Sequence, residues 1–296
     1  MSTSTSPSTR RVYGLLRVCQ VWGICRSSIY NERAKEKKRK SKKKPGPVPW
    51  MSDEDLTEWI RSVIENSKFS GEGHRKIWAR LRRDHGISIG RNRVLRLMRE
   101  AKLLSPHRSF QGKTKTHDGK IITDVPNDMW ATDAVKLWTE DDGWIWYFGV
   151  TDHWNSECLG WHVTKRGDRY AAIEALRNAV RSGCNNLNQG AARGISLRPD
   201  HGSVFTADAY RNEAKYWGFN FSYALVGEPE TNGVEERFHR TLKEQCIHHR
   251  VFKNIEEVRE AIARFIEDYN NEWLLEKLGY LSPKEARANW EFRYAA

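Results

Sequence analysis

The spacing of apolar residues changes character near residue 125. Before that point apolar positions recur every three or four residues, which predicts short amphipathic helices. One or two small helices are expected within residues 10–32, and longer ones from Ser52, from about His74 to Asp84, and from about Arg91 to Lys102. Beyond it, three segments rich in Trp, Tyr, Ile and Val predict strands joined by hairpins, at 129–138, 144–151 and 157–164.

The remainder of the chain alternates helix and strand patterns. The predicted elements are a helix at 168–182, a strand at 194–198, a helix at 206–217, a strand at 219–224, a long helix from Thr231, and further helix to the C-terminus. Ser282, Pro283 and Glu285 supply the N-cap, first-turn proline and third-position acid of a helix start. The order β-β-β-α-β-α-β-α is that of a ribonuclease-H-like α/β domain, with a five-stranded mixed sheet flanked by helices.

Shifts in composition divide the chain into successive segments. A cationic run from Arg33 to Lys44 ends in a proline-rich stretch at 45–49, where self-repulsion and proline favour a linker. The predicted organisation is a small helical DNA-binding segment at 1–32, a basic linker at 33–50, a helix-turn-helix domain at 51–110, a linker at 111–125 and an α/β catalytic domain with C-terminal helices at 126–296.

Charge is concentrated in the first part of the chain. The 296 residues carry a net charge of +12, yet residues 1–110 hold 26 Lys and Arg against 10 Asp and Glu, whereas residues 111–296 hold 24 against 28. A basic region next to a slightly acidic one indicates a protein that binds a polyanion, and we expect that polyanion to be nucleic acid.

Composition also excludes several classes of protein. A hydrophobic content of 39% rules out global disorder, and there is neither a membrane-length apolar run nor a signal peptide. We therefore expect a soluble, cytoplasmic, nucleoid-associated protein. The five cysteines form no Cys-x-x-Cys pair, so buried free thiols are expected rather than a zinc site.

The third predicted helix of the 51–110 segment has an arginine-rich face. A three-helix unit with such a face suits a helix-turn-helix module whose last helix enters the major groove. The alternative is a small bundle with a merely solvated face. Lys42, Lys43 and Lys44 in the cationic run would contact phosphates or simply be solvated. The arginines proposed to contact DNA are Arg91, Arg93, Arg96 and Arg99.

Three acidic residues lie at positions in the predicted elements that suit a catalytic site. Asp133 lies in the first strand, Asp200 follows the fourth strand, and Glu236 lies in the long helix. Phosphodiester cleavage or transfer commonly uses two divalent cations, which carboxylate oxygens bind well. Placing the acidic side chain of a strand residue opposite another acidic side chain costs free energy unless a cation neutralises the two. Each acid alone has an ordinary alternative as a turn or cap residue.

The arrangement of these acids resembles the OrfB-type DDE transposases of bacterial insertion sequences, which share a core with retroviral integrases. In that family 35 residues separate the second acid from the glutamate, and a basic residue follows seven positions later. Here 35 residues separate Asp200 from Glu236, and Lys243 is seven beyond Glu236. Helical spacing puts Glu236, Arg240 and Lys243 on one face, away from the stripe formed by Val234, Phe238 and Leu242.

Further segments carry the same resemblance along the chain. Residues 73–78 and 93–98 resemble the family's helix-turn-helix, residues 152–161 its second and third strands, and residues 278–283 its C-terminal Gly-Tyr-x-Ser-Pro element. The sequence departs from the family at Val135, where Thr or Ser is common, and at Asn155–Ser156, where Ser-Arg is usual. Neither departure removes one of the three acids.

The resemblance implies a metal-dependent transposase. Asp133, Asp200 and Glu236 would be catalytic and would bind two Mg²⁺ or Mn²⁺ ions, with Arg240 and Lys243 beside them for DNA phosphates. The implied reaction cleaves the ends of an insertion sequence and joins the free 3′-hydroxyl to target DNA. It further implies terminal repeats and target DNA as partners, a homo-oligomeric complex, and a partner protein from an upstream reading frame.

Two other functions remain open at this stage. A metal-dependent nuclease of the same fold would cleave without joining. A DNA-binding regulator with an inactive core would bind the ends and show no dependence on metal.

Overall fold

A computed structural model describes residues 3–39, 50–105, 121–222 and 233–294. The chain forms two compact units, residues 1–52 and residues 53–296. The larger unit therefore contains the helices of the predicted helix-turn-helix segment together with the α/β sheet.

The first unit contains two helices, α1 (Leu15–Val21) and α2 (Arg26–Arg39). α2 continues into the cationic run as far as Arg39, where the sequence favoured a linker. Lys, Arg, Glu and Ala all have high helix propensity, which outweighs their mutual repulsion over this length. The predicted apolar face is exposed at Leu16, Val21 and Ile24, whereas Cys19 is buried.

Three helices open the second unit: α3 (Asp53–Glu65), α4 (His74–His85) and α5 (Arg91–Glu100). α4 and α5 were predicted at nearly these bounds, and α3 was predicted to start at nearly this position. Their apolar faces meet in a small core, because residues spaced by three and four lie on one side of a helix. Its fully buried members include Leu56, Ile60, Ile77, Leu81, Val94 and Met98.

A five-stranded mixed sheet forms the centre of the larger unit, in the order β3-β2-β1-β4-β5. β1, β2 and β3 are antiparallel neighbours, whereas β4 pairs parallel to β1, and β5 parallel to β4. The strands are β1 (Met129–Thr139), β2 (Gly143–Asp152), β3 (Cys158–Thr164), β4 (Ser196–Pro199) and β5 (Asn220–Phe221). The ribonuclease-H-like fold class is confirmed.

Helices cover both faces of this sheet, which gives the domain two hydrophobic layers. On one face α6 (Arg169–Cys184) and α8 (Asp208–Trp217) pack over Trp130, Phe148 and Leu197. On the other, α9 (Gly233–Leu242) and α10 (Ile255–Glu272) pack over Val135, Leu137 and Tyr147. Trp130 is fully buried and belongs to the core.

Gly160 on β3 lets α6 approach the sheet closely. A Cβ atom at this position would lie 2.2 Å from the backbone nitrogen of Ala179 and 2.5 Å from the carbonyl oxygen of Ala175. Both atoms belong to the helix backbone, which cannot move aside as a side chain can. The close packing of β3 on α6 therefore requires glycine.

Several elements differ from the sequence prediction in their bounds. The helix expected over 206–217 is divided into α7 (Ser203–Thr206) and α8, because Ala207 between them has an extended backbone. The fifth strand is two residues long, and residues 223 and 224 of its predicted span lie outside the described residues, as do Thr231 and Asn232 before α9.

The C-terminal helix begins as its sequence predicted. α11 (Pro283–Tyr294) starts with a reciprocal capping box: the Ser282 amide donates to Glu285 Oε2 at 2.8 Å, and the Glu285 amide donates to Ser282 Oγ at 3.3 Å. Both amides precede the helical hydrogen-bond pattern and would otherwise lack a partner.

The helices α3–α5 dock against the C-terminal helices through ion pairs and an aromatic contact. Lys68 lies 2.6 Å from both Asp268 and Glu272, and the rings of Phe69 and Trp273 meet edge to face at 4.8 Å. The Gln245 side chain bonds both backbone groups of Ser70, at 2.9 and 3.0 Å. Gln245 lies in a π-helical turn, Lys243–Ile247, that continues α9.

Within the ranges described, no helix is both long enough and apolar enough to cross a membrane. The five cysteines are free, but they are not uniformly buried: Cys25 is exposed and Cys184 is half-buried, contrary to expectation.

Candidate active site

Asp133 projects from the central strand β1 toward α9. Side chains alternate along a strand, so Asp133 shares a face with Val135 and Leu137, which pack beneath α9 and α10. Its side chain is 28% exposed, in contrast to these two buried neighbours. Its Oδ1 atom accepts a hydrogen bond from the Ala134 amide at 2.7 Å.

The residue opposite Asp133 on β2 is Gly149. A Cβ atom there would lie 2.6 Å from the Tyr147 hydroxyl. The missing side chain leaves room for the buried Tyr147 ring, which packs edge-on against His239 with centroids 5.9 Å apart. Gly149 thus makes the space that the Tyr147 ring occupies beside His239.

Asp200 is exposed and follows β4 directly. β4 pairs with β1 in parallel, with Thr132 opposite Pro199 at the last step. Asp133 and Asp200 are each the next residue after this last pair, one along β1 and the other just beyond β4. The Asp200 Oδ1 atom accepts from the His201 amide, at 2.6 Å.

The two adjacent glutamates of α9 have opposite environments. Glu236 is exposed, whereas Glu235 is completely buried and accepts a hydrogen bond from the Thr151 hydroxyl. Burial shields Glu235 from solvent, whereas Glu236 is accessible. The assignment of Glu236 to the site stays a prediction.

His239 joins α9 to Asp133. Its Nδ1 atom lies 3.4 Å from Asp133 Oδ2 and its Nε2 atom lies 3.2 Å from Glu235 Oε1. Burial alone would lower the pKa of His239, but hydrogen bonding and charge from Asp133 and Glu235 outweigh it and raise the pKa to about 9. Glu236 is three residues before His239, so the two side chains start from one face of the helix.

The three proposed carboxylates do not form a closed cluster. Among the residues described, no group of three or more His, Cys, Asp or Glu side chains could hold a metal ion. Equally, no lysine or arginine in the described ranges forms an ion pair with Asp133, Asp200 or Glu236. Asp133 on β1 and Asp200 just after β4 offer hard carboxylate oxygen donors, and such donors suit Mg²⁺ or Mn²⁺.

The basic residues proposed beside the glutamate lie on the same side of α9 and its continuation. Arg240 is exposed and Lys243 is half-buried at the start of the π-helical turn. They are four and seven residues beyond Glu236, so all three stand on one helical face. Their contact with DNA remains a prediction.

The arginines of α5 differ from one another. Arg91, Arg96 and Arg99 are exposed, but Arg93 is only 19% exposed, contrary to expectation. The carboxylate of Asp53 at the start of α3 explains this, because it binds Arg93 at 2.6 Å and Arg96 at 2.7 Å. Arg96 also pairs with Glu100 at 3.1 Å. Lys42, Lys43 and Lys44 lie outside the described residues.

Asp152 is a structural residue despite ending a strand near the site. It is fully buried, and its Oδ2 atom lies 2.7 Å from Arg287 of α11, which also pairs with Glu157. Backbone amides of Asn127 and Trp154 donate to it as well, each at 2.9 Å. Burial raises the pKa of Asp152, and Arg287 opposes this shift. Asp152 therefore holds α11 against the end of β2 through Arg287.

Sequence reasoning missed the roles of Glu235, His239 and Thr151. A signal was present, since Glu235 and His239 are four residues apart and thus share a face. The apolar pattern of α9 instead predicted a buried stripe of Val234, Phe238 and Leu242. Phe238 and Leu242 are buried as expected, while Val234 is half-buried. Charged residues beside such a stripe usually face solvent, so the pattern alone could not identify a buried pair.

Comparisons with known proteins agree with this architecture. Residues 124–229 and 218–283 match two models described as an integrase core domain, and residues 52–110 match an HTH-like domain. Together the two integrase-core matches span more than half of the chain.

Curated relatives and a solved structure are similar along much of the chain. The transposase for insertion sequence element IS629 from Shigella sonnei is 27% identical over 94% of this chain and 92% of its own length. The transposase InsD for insertion element IS2A/D/F/H/I/K from Escherichia coli is 27% identical over 79% of this chain and 78% of its own. The catalytic core domain of BIV integrase is 16% identical, with a TM-score of 0.42 over 57% of this chain and 99% of its own.

The chain is an integrase-core protein with an HTH-like domain ahead of the core. It belongs with the transposases of bacterial insertion sequences, as the spacing of its acidic residues indicated.

Proposed function

We propose that this protein is a DDE transposase that cuts DNA at the ends of an insertion sequence and joins those ends to a target. The observation that supports the proposal is that β1, which carries Asp133, pairs in parallel with β4, after which Asp200 follows, while Glu236 lies on the helix that contacts Asp133 through His239. The relatives named as insertion-sequence transposases support the same reaction.

Asp133, Asp200 and Glu236 would hold the divalent cations, Mg²⁺ or Mn²⁺, two per site. When bound, such ions lower the pKa of a water or hydroxyl nucleophile and stabilise the charge on the leaving oxygen. Their carboxylates fit this role because they are exposed or partly exposed, and no lysine or arginine among the described residues forms an ion pair with them.

The rest of the chain would bind and orient the DNA. Arg240 and Lys243 lie along the same face as Glu236 and would hold phosphates next to the scissile bond. Arg91, Arg96 and Arg99 of α5 would contact the terminal DNA of the element, with Arg93 held back by Asp53. α3–α5 are held against the α/β domain by side-chain contacts. The distance between the helices that bind the DNA end and the site that cleaves it would therefore be fixed.

The reaction needs no external energy source. Hydrolysis at the element's end leaves a 3′-hydroxyl, and attack of that hydroxyl on a target phosphodiester forms one such bond for each one broken. Two ends must be handled together, which favours a homo-oligomeric complex, and an upstream reading frame would supply further end-binding helices.

A strand-transfer assay tests this proposal. The full chain is incubated with labelled DNA from the flanks of its reading frame and a target plasmid, with Mg²⁺, with Mn²⁺, or with EDTA. We expect metal-dependent cleavage and labelled plasmid. Cleavage without joining would contradict the proposal and indicate a nuclease, and metal-independent binding without cleavage would indicate a regulator.

A further inference from the structure

A line of four polar side chains runs from the interior of the domain to Asp133. The Thr151 hydroxyl on β2 donates to Glu235 Oε2, Glu235 Oε1 lies 3.2 Å from His239 Nε2, and His239 Nδ1 lies 3.4 Å from Asp133 Oδ2. The line therefore crosses three elements, β2, α9 and β1. Only its last member is more than slightly exposed to solvent.

The burial of this line is unusual for its chemistry. Thr151 and Glu235 are completely buried, and His239 is 6% exposed. Burying a carboxylate and an imidazole costs free energy unless each finds a partner, and apolar residues of similar volume are often as stable or more so. Packing alone gives no reason for a glutamate and a histidine between Tyr147 and Phe238.

The His239 ring is held on several sides. Tyr147 packs edge-on against it, Phe238 lies beside it with centroids 6.1 Å apart, and Glu235 faces its Nε2 atom. These contacts leave Nδ1 aimed at Asp133. The ring thus lies at ion-pair distance from one oxygen of the Asp133 carboxylate.

Both oxygens of Asp133 consequently have a partner within the protein. The Ala134 amide donates to Oδ1 at 2.7 Å, and His239 Nδ1 faces Oδ2. Each carboxylate oxygen has a second lone pair, which remains available toward the exposed side of the group. Hydrogen bonds of this kind orient metal-binding carboxylates, and their loss typically weakens metal affinity or activity about 10- to 100-fold.

We infer that His239 is a positioning residue that fixes the Asp133 carboxylate for divalent-cation binding, and that Glu235, anchored by Thr151, fixes the His239 ring. This inference rests on the proposed function, because it assigns Asp133 to the metal. It assigns a role to His239 and Glu235, which are not among the three proposed metal ligands. Both would act through Asp133 rather than by contacting DNA.

Direct binding of Mn²⁺ to the full chain tests the inference without relying on catalysis. Isothermal titration calorimetry compares the wild type with His239→Leu, which fills the site but donates no hydrogen bond, and with His239→Gln, whose amide can donate. We expect Mn²⁺ binding about 10-fold weaker or more in His239→Leu. We expect His239→Gln to recover most of the loss.

Matched controls separate this role from a general structural one. His162→Leu changes a half-buried histidine on β3 outside the site and should leave Mn²⁺ affinity unchanged. Thermal unfolding establishes that each variant is folded at the temperature of the titration. If His239→Leu does not fold, Glu235→Gln and His239→Gln are compared instead, and weaker Mn²⁺ binding is expected in Glu235→Gln.

The outcomes distinguish the inference from the proposed function. Wild-type Mn²⁺ affinity in folded His239→Leu, or equal losses in His239→Leu and His239→Gln, would overturn the positioning role. Wild-type Mn²⁺ binding and cleavage in Asp133→Asn would instead overturn the assignment of Asp133 to the metal, and with it the proposed function.

Discussion

His239 Nδ1 lies 3.4 Å from Asp133 Oδ2 and connects the helix that carries Glu236 to the strand that carries Asp133. The two proposed ligands are 103 positions apart in sequence (236 − 133). Through this contact, the position of α9 over the sheet and the orientation of the first carboxylate depend on one another.

The two neighbouring glutamates should respond differently to loss of charge. Glu236→Gln changes an exposed side chain, so we expect DNA cleavage to be lost with an unchanged melting temperature. Glu235→Gln alters a buried group between Thr151 and His239, and we expect it to lower the free energy of unfolding by about 1–3 kcal/mol. Cleavage assays and thermal unfolding of both variants measure this. If the melting temperatures were equal and only Glu235→Gln lost cleavage, Glu235 rather than Glu236 would be the residue needed for cleavage.

Gly160→Ala tests the packing of β3 against α6. The added methyl group would lie 2.2 Å from a backbone nitrogen, so the strand and helix must separate. We expect the free energy of unfolding to fall by at least about 2 kcal/mol, a large effect for overpacking. Gly73→Ala is the matched control, since nothing lies within 4 Å of a Cβ atom there. Comparable urea-unfolding midpoints in the two variants would show that the contact is not tight in solution.

Two arginines of α5 should affect DNA binding unequally. Arg99 is exposed, and Arg99→Ala should weaken binding to a DNA duplex and reduce the slope of log affinity against log salt by about 1. Arg93 is held by Asp53, so Arg93→Ala should mainly lower stability, by about 1 kcal/mol. Fluorescence anisotropy over a series of salt concentrations gives the slopes. A larger change of slope in Arg93→Ala would place Arg93 at the phosphates.

Arg287 should be among the most important residues for stability in the C-terminal helices. It pairs with Asp152 and Glu157, which are buried, and its removal would leave both carboxylates without their cation. We expect Arg287→Met to lower the free energy of unfolding by about 3–5 kcal/mol. Arg293→Met, on the exposed side of the same helix, serves as the control. Chemical denaturation that finds the two variants equally stable would contradict the anchoring role.

Local patterns account well for the elements of the fold. The capping box at Ser282 and Glu285 is present, and the helix predicted from residue 168 begins there, with the Asp168 side chain accepting from the amides of Tyr170 and Ala171. The division of α7 from α8 was not predictable, because the extended backbone at Ala207 has no proline or glycine to signal it. The two-residue β5 is likewise too short to set its own bounds.

The active site was predictable only in part. Spacing indicated Asp133, Asp200 and Glu236, and their assignment to the site stays a prediction; the structure pairs β1 with β4 up to the residues just before Asp133 and Asp200. The buried Glu235–His239 pair was not foreseen, because its stability depends on Thr151 and Tyr147 from a distant strand. The pairing of Asp53 with Arg93 joins α3 to α5, a tertiary contact that helical spacing within α5 cannot reveal.

The central claim is that Asp133, Asp200 and Glu236 together carry out metal-dependent cleavage and joining of DNA. The most direct measurement is a strand-transfer assay with Asp133→Asn, Asp200→Asn and Glu236→Gln, each in parallel with a gel-shift assay of DNA-end binding. The account predicts that every variant binds the ends as the wild type does and forms neither cleaved nor joined product in Mg²⁺ or Mn²⁺. Cleavage and joining at wild-type rates in any one of the three would contradict it.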